Sequence, residues 1–341
     1  MIPVNLNQSL HSWLQRQWYE TPAPSPFLTG AEKLFIQAVR ARQNAYRRDR
    51  KKVDRLPVPV IVVGNLTVGG TGKTPLTLWL ADLLKHHGYR PGIISRGYGG
   101  KKQSRPLIVG LETTPEEAGD EPVLIARRSG CPVCIHPRRA EAGSTLLAAG
   151  NCDILIADDG LQHYALARDI EIAVVDGVRG FGNGHCLPAG PLREPPARLE
   201  TVDWVIYSGT GPEDSIVMSL ASNAAVNLAN PEQHRPLDHF AGEKTYAMAG
   251  IGHPQRFFDD LRRRGLTVES RAFPDHHAYR REDLAFAGSS PLFMTEKDAV
   301  KCRQFANPNH WYIPLQAQLP DAFGEQLLTQ LKIKTHGQKT A

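Results

Sequence analysis

The sequence VVGNLTVGGTGKTP, residues 62–75, decides the reading of the fold. Its core, TVGGTGKT, is one residue away from the phosphate-binding pattern G-x-x-x-x-G-K-[ST]. Gly72, Lys73 and Thr74 fit; Thr67 stands where the first glycine is usual. The residues just before, VPVIVVG, form a continuous β-branched apolar run, as in a buried parallel strand. Just after, Leu76, Leu80, Leu83 and Leu84 recur at helical spacing as far as Gly88. Strand, glycine loop and helix are the context of a phosphate cradle. Successive backbone N–H groups face the anion, and the helix N-terminus adds partial positive charge. Gly69, Gly70 and Gly72 allow close approach, with Thr67, Val68 and Thr71 completing the loop. Lys73 would then reach the β/γ-phosphates of a nucleotide, and the Thr74 hydroxyl would meet Mg²⁺. The alternative is a glycine-rich turn that only caps a helix.

Working outward, PGIISRG, NCDILIADDG, IEIAVVDG and VDWVIYSG read as further strands, separated by helical stretches. Such alternation predicts a doubly wound α/β domain over residues 57–222. A phosphate loop needs a carboxylate for its metal at a neighbouring strand end. Asp158 and Asp159 in ILIADDG supply two, although adjacent acids at a strand end also suit a solvated turn. From about residue 222 the chain loosens, and 223–243 reads as a linker. TYAMAGIG, PQRFFDDLRRRG, PLFMTEKDAVKC and HWYIPL predict a smaller α/β domain at 244–335. Thr295 and Asp298 there suit a capping box with Asp in place of Glu. The tail KTHGQKTA is expected to fray. The fold class expected is therefore α/β, with two α/β/α domains, the first of P-loop NTPase type.

The 341 residues exceed what one core usually holds. Hydrophobic content of 41% and charged content of 22% are ordinary for a globular chain. The net charge of +5 is local: residues 1–56 carry ten Lys/Arg against four Asp/Glu. Leu10, Trp13, Leu14 and Trp18 share one helical face, and Leu34, Phe35, Ile36 and Val39 form a second apolar stretch running into RARQNAYRRDRKK. Apolar and aromatic residues beside a basic cluster suit a helix lying on an anionic membrane surface. The competing reading is a soluble helix packed on the main domain. No run of about 18 apolar residues predicts a spanning helix, and MIPVNLNQSLHSW does not read as a signal peptide. Nucleic-acid binding would need positive charge spread over the fold. Cys131 and Cys134 form CPVC, but no second pair stands at zinc spacing, so two small residues beside a strand is the simpler reading.

The partitioning and metallochaperone ATPases carry a signature lysine before the paired glycines, where this chain has Val68. A P-loop ATPase switch acting on a protein partner is thus the alternative, and no obligate protein partner is evident. Taken together, VPVIVVGNLTVGGTGKTP, ISRGYGGK, AGDEPVLIARR, ADDGLQHYALARDIEIAVVDG, FGNGHCLPAGPLREP, AMAGIGHPQRFF, DHH and MTEKDAVKC closely resemble the tetraacyldisaccharide 4'-kinase family, over residues 57–314. Thr67 belongs to that family's pattern. The N-terminal segment is less continuously apolar than in some relatives, which favours surface binding over spanning.

The resemblance implies transfer of the ATP γ-phosphate to the 4'-hydroxyl of a tetraacylated glucosamine disaccharide 1-phosphate, a lipid A precursor. It implies Mg²⁺ and a peripheral or monotopic place on the cytoplasmic face of the bacterial inner membrane. It also implies a catalytic pair, Asp120 in AGDEP and His276 in PDHH, which domain closure would bring together, and a phosphate-contacting Arg193. Arg96 with Tyr98, and Gln162, His163 and Glu194, are candidates for substrate contact or for orienting the groups that make it. Lys297 is a weaker candidate.

Overall fold

The structure, a computed structural model, describes residues 6–21, 23–150, 152–222 and 224–336. Residues 1–5 of the start read for a signal peptide, 337–341 of the expected tail and the Leu10 side chain lie outside the described residues.

Two helices come first, α1 (Leu6–Tyr19) and α2 (Pro26–Arg47). Then follow β1 (Val60–Gly64), α3 (Lys73–His86), β2 (Pro91–Ser95), β3 (Leu107–Ile108), α4 (Pro115–Ala118), α5 (Asp120–Ser129), β4 (Val133–Ile135) and α6 (Arg139–Ala148). The chain continues through β5 (Ile154–Ala157), β6 (Ile170–Asp176), β7 (Trp204–Ser208), β8 (Ile216–Ala221), β9 (Ala225–Asn227), β10 (His234–Arg235) and β11 (Lys244–Ala249). It closes with α7 (Pro254–Arg263), β12 (Thr267–Ala272), α8 (Arg281–Leu284), β13 (Leu292–Thr295), α9 (Glu296–Cys302), β14 (His310–Ile313), β15 (Gln316–Gln318) and α10 (Asp321–His336).

Among the described residues the strands form two sheets, ordered β15-β8-β7-β6-β1-β5-β2-β4-β3 and β10-β9-β14-β13-β11-β12. The first is parallel except at its edge strands β3 and β15. Strand β1 lies between β5 and β6, with Ile61 opposite Ile156 and Ile170. All five β1 residues are buried, as a strand covered on both faces requires. Leu76, Leu80 and Leu84 of α3 pack on one face with Ile61 and Ile93, all fully buried. Each such side chain stabilises by about 1.5–3 kcal/mol, so a polar residue at Leu80 would undo the packing that orients the glycine loop.

Four expectations change. The stretch 223–243 is not an irregular linker, because it contains β9 and β10, which pair with each other and with β14. The chain also does not end in the second sheet. Strand β15 pairs with β8 in the first sheet, and Phe323, Leu327 and Leu331 of α10 enter the first core. Lys334, placed in a fraying tail, is helical and donates to the Asp169 carbonyl. Trp18, read on a lipid-facing stripe, is buried and donates its indole N–H to the Pro188 carbonyl at 2.9 Å. Phe35 and Ile36 likewise pack on Leu66 and Leu161, while Phe27 and Leu34 stay exposed. No described helix is long and apolar enough to cross a membrane. All five cysteines are free and buried; burial pushes Cys134 up to about 11.

Candidate active site

The glycine loop leaves β1 and enters α3 at Lys73. Gly72 sits at φ +94°, where a Cβ would lie 2.9 Å from Met218 Cε and 3.0 Å from Ser208 Oγ. Glycine is required there on both counts. Buried Lys73 donates to Asn65 Oδ1 at 3.1 Å and stands 3.5 Å from Asp159 Oδ1. Thr74 follows in the first turn of α3. Thr67 bridges Leu192, Val68 N–H donates to the Pro191 carbonyl at 2.8 Å, and Arg193 N–H donates to the Leu66 carbonyl. This pairing straps the segment before Arg193 onto the loop. It places the guanidinium on Asp159, whose two oxygens accept at 3.0 and 3.1 Å.

Strand β5 lies between β1 and β2, so Asp158 and Asp159 emerge beside the loop. Asp159 is in the left-handed region, φ +47°, a conformation that aspartate tolerates better than most residues. Burial works to raise its carboxyl, but Lys73 and Arg193 outweigh burial and hold it at about 2. Asp158 behaves oppositely: burial, with Glu121 and Asp159 nearby, pushes it up to about 7. Thr77 donates to Asp158 Oδ1 at 3.3 Å. Asp158 Oδ2 and Thr71 Oγ1 are buried with no hydrogen-bond partner. An unpartnered carboxylate oxygen next in sequence to a second carboxylate fits Mg²⁺, which takes one or two carboxylates and completes its shell with phosphate and water. Among the described residues no cluster of three or more His, Cys, Asp and Glu forms a metal cage, and Mg²⁺ needs none.

The second part of the site crosses between sheets. Asp120 opens α5, directly after Gly119. At φ +90°, a Cβ on Gly119 would lie 2.2 Å from the Tyr98 carbonyl. That glycine lets the loop after β2, carrying Arg96 and Tyr98, press against the start of α5. His276, from the loop after β12, points back so that Nδ1 lies 3.1 Å from Asp120 Oδ2. The pair is thus already in contact, where the sequence suggested that closure would assemble it. His276 itself is left-handed, φ +59°, a strain of order 1–3 kcal/mol that clusters at functional positions. Burial works to raise the Asp120 carboxyl; the His276 hydrogen bond and the charges of Lys301 and Lys297 overcome it and hold the group below the usual range. Lys297 stands 3.4 Å from Glu121 Oε1 and 3.3 Å from Asp275 Oδ1.

The remaining candidates differ in setting. Tyr98 is exposed and meets the His276 ring edge-on at 5.3 Å. Arg96 is exposed. Glu194 is buried and accepts from Gln43, Gln162 and Tyr164, so it anchors its neighbours. Gln162 also donates to the Asn65 carbonyl at 3.0 Å. His163 is held down to about 4 by burial and by Arg139, Arg168, Arg42 and Arg96, and is neutral near pH 7. Arg139 escaped the sequence reading. It is buried at the start of α6, with Nε unpartnered. Burial lowers it to about 10, against the pull of Asp159. A cleft of about 190 Å³ is lined by Phe35, Val39 and Leu187 together with Arg42, Gln162 and Arg193.

A glycine loop between β1 and α3, with a lysine, an arginine and the two carboxylates after β5 gathered beside it, is the arrangement an α/β phosphotransferase needs. Residues 24–332 match the family model described as Tetraacyldisaccharide-1-P 4'-kinase. The tetraacyldisaccharide 4'-kinase of Nitrosococcus oceani is 51% identical over 321 residues, 94% of this chain and 95% of that protein. Its namesake from Methylobacillus flagellatus is 46% identical over 328 residues, 96% of this chain and 98% of that protein. The crystal structure of "apo" form LpxK from Aquifex aeolicus in complex with ATP is similar, with TM-score 0.75 and 29% identity over 90% of this chain and 98% of that chain. The chain belongs to the tetraacyldisaccharide-1-P 4'-kinase family, and it is an ATP-dependent kinase.

Proposed function

We propose that the chain moves the γ-phosphate of ATP to the 4'-hydroxyl of a tetraacylated glucosamine disaccharide 1-phosphate, with the two parts of the site as phosphate end and proton end. The observation that carries this division is the 3.1 Å contact of His276 with Asp120 across two sheets. Backbone N–H groups of residues 69–72 cradle the β- and γ-phosphates, with Lys73 and Arg193 beside them, while Val68 N–H is kept by the Pro191 carbonyl. Thr74 with Asp158 and Asp159 would hold Mg²⁺, which when bound neutralises charge on those phosphates. A sugar hydroxyl is a poor nucleophile near neutral pH. With His276 Nδ1–H donated to Asp120, the Nε2 lone pair takes the hydroxyl proton, a role worth about 10²–10⁴-fold.

The cleft beside α2 pairs apolar walls with arginine and amide groups, as an acylated sugar phosphate demands. Trp13, Phe27 and Leu34 are exposed on α1 and α2, and the exposed basic run 47–52 ends that segment. These features support a peripheral position on an anionic membrane surface, and the use of ATP as co-substrate favours the cytoplasmic face of the inner membrane.

Labelled ATP and the lipid disaccharide in detergent micelles test the reading. Label should move to the lipid, and ATP turnover should require the acylated acceptor. Turnover indifferent to the acceptor would replace this reading with that of an ATPase switch.

A further inference from the structure

Resting on the assignment of Asp120 and His276 as the proton end, the geometry points to a third member. We propose that Lys301 is a positioning residue that fixes the Asp120 carboxylate from the opposite sheet and through it sets the proton affinity of His276.

Lys301 lies on α9 and is buried. A lysine is rarely buried without a partner, because desolvating the ammonium is costly. Its Nζ stands 3.1 Å from Asp298 Oδ1, 3.6 Å from Asp120 Oδ2 and 4.9 Å from the Tyr279 ring centroid. It makes no hydrogen bond, so charge alone holds it. Asp298 does not need it: that carboxylate already accepts from Gly250 N–H at 3.1 Å, the Thr295 hydroxyl at 2.6 Å and the Tyr279 hydroxyl at 3.0 Å. Asp120 is the group left for the lysine to serve. The oxygen it approaches, Oδ2, is the one that His276 contacts.

The neighbouring charges are arranged to match. Lys297, one turn earlier on α9, faces Glu121 and Asp275, the residues that flank the pair in sequence. His277 is occupied with Asp283 at 3.0 Å, Asp275 Oδ1 lies 3.9 Å from His276 Nε2, and the Tyr98 ring meets His276 edge-on. Lys301 is thus the cation in the closest contact with the Asp120 oxygen that His276 shares. A fixed cation there favours the carboxylate form of Asp120. It also keeps Oδ2 available as the acceptor for His276 Nδ1–H.

The pH dependence of kcat in the full-length enzyme tests this, using Lys301→Met, Lys301→Arg and His276→Ala. Removing the cation stabilises imidazolium, so the acidic limb of Lys301→Met should move upward by about one pH unit. Its plateau kcat should fall by no more than about tenfold, and KM for ATP should hold. Lys301→Arg keeps the charge and should restore the wild-type limb. A merely structural lysine would lower Tm and leave the limb in place, and that result overturns the proposal. Lys301→Gln provides the same readout if the methionine variant does not fold. Should His276→Ala retain the acidic limb, the pair itself is misassigned. Should His276→Ala lose the limb while Lys301→Met leaves it unmoved, only the role of Lys301 fails.

Discussion

The phosphate end and the proton end of the site are held by different means. At the phosphate end, Lys73 opens the helix after β1, Asp158 and Asp159 follow the adjacent strand β5, and backbone pairing of the segment before Arg193 secures the fourth member. At the proton end, Asp120 starts a helix on the first sheet and His276 sits in a loop of the second. What joins them is a row of ion pairs between α5 and α9: Arg128 with Glu296, Glu121 with Lys297, and Asp120 with Lys301. A rigid sheet fixes the anion site, whereas docking of two units fixes the base. Damage to the docking should therefore affect proton transfer and leave nucleotide binding largely alone.

Outside the Asp120–His276 pair, the largest effect expected is at the phosphate end. Lys73→Ala should cut kcat by about 10²–10³-fold, the cost of removing one preorganised charge at a transferring group. Far-UV circular dichroism should match wild type. A variant with near-normal transfer would remove the glycine loop from the chemistry.

The contrast between the two ends also explains what the sequence disclosed. The glycine loop and the apolar runs of β1, β5 and β6 are local signals, readable because buried parallel strands and phosphate loops need those residues in that order. Strand β12, TVESRA, is mostly exposed and lies at a sheet edge, so no apolar pattern announced it. Strands β9 and β10 are short, and polar residues surround them, which made 223–243 look like a linker. The return of β15 and α10 to the first core is a tertiary fact with no local signature. Motif resemblance pointed to Asp120 and His276, but their sharing of Oδ2 with Lys301 depends on a helix docked across sheets. Arg139 was missed for the same reason: nothing in HPRRA says that one of its arginines is buried.

A second prediction acts on the docking alone. Arg128→Ala strips the partner from Glu296, whose side chain is 12% exposed. The pair is partly solvated, so the loss should be roughly 1–3 kcal/mol by denaturant unfolding. kcat should fall severalfold with KM for ATP unchanged. An equal rise in ATP KM would show that the two ends are not separable.

Acid separates the ends further. The folded Asp159 carboxyl is lowered to about 2, so the stability it contributes is present above the ordinary carboxylate range near about 4. That stability is lost as pH falls from there through about 2. Asp159→Asn should therefore be less stable than wild type at pH 6, and the difference should shrink towards pH 2. A stability difference independent of pH would mean that Lys73 and Arg193 do not hold that carboxylate.

The smallest effect concerns the basic run that ends the N-terminal segment. Each Lys or Arg near an anionic leaflet contributes about 1 kcal/mol. Replacing Arg47, Arg48, Arg50, Lys51 and Lys52 together by Gln should weaken vesicle binding and its salt dependence, while kcat in micelles holds. Equal binding to neutral and anionic vesicles would assign the attachment to Trp13, Phe27 and Leu34 alone.

The central claim is that Asp120 and His276 act as one unit across the two sheets. Its most direct test is kcat for wild type, Asp120→Ala, His276→Ala and the double variant at saturating ATP and lipid. Each single change should cost about 10²–10⁴-fold, and the double variant should be little worse than the poorer single one, as for groups that work together. Fully multiplicative losses would contradict the account, because they would mean that the residues act on separate steps.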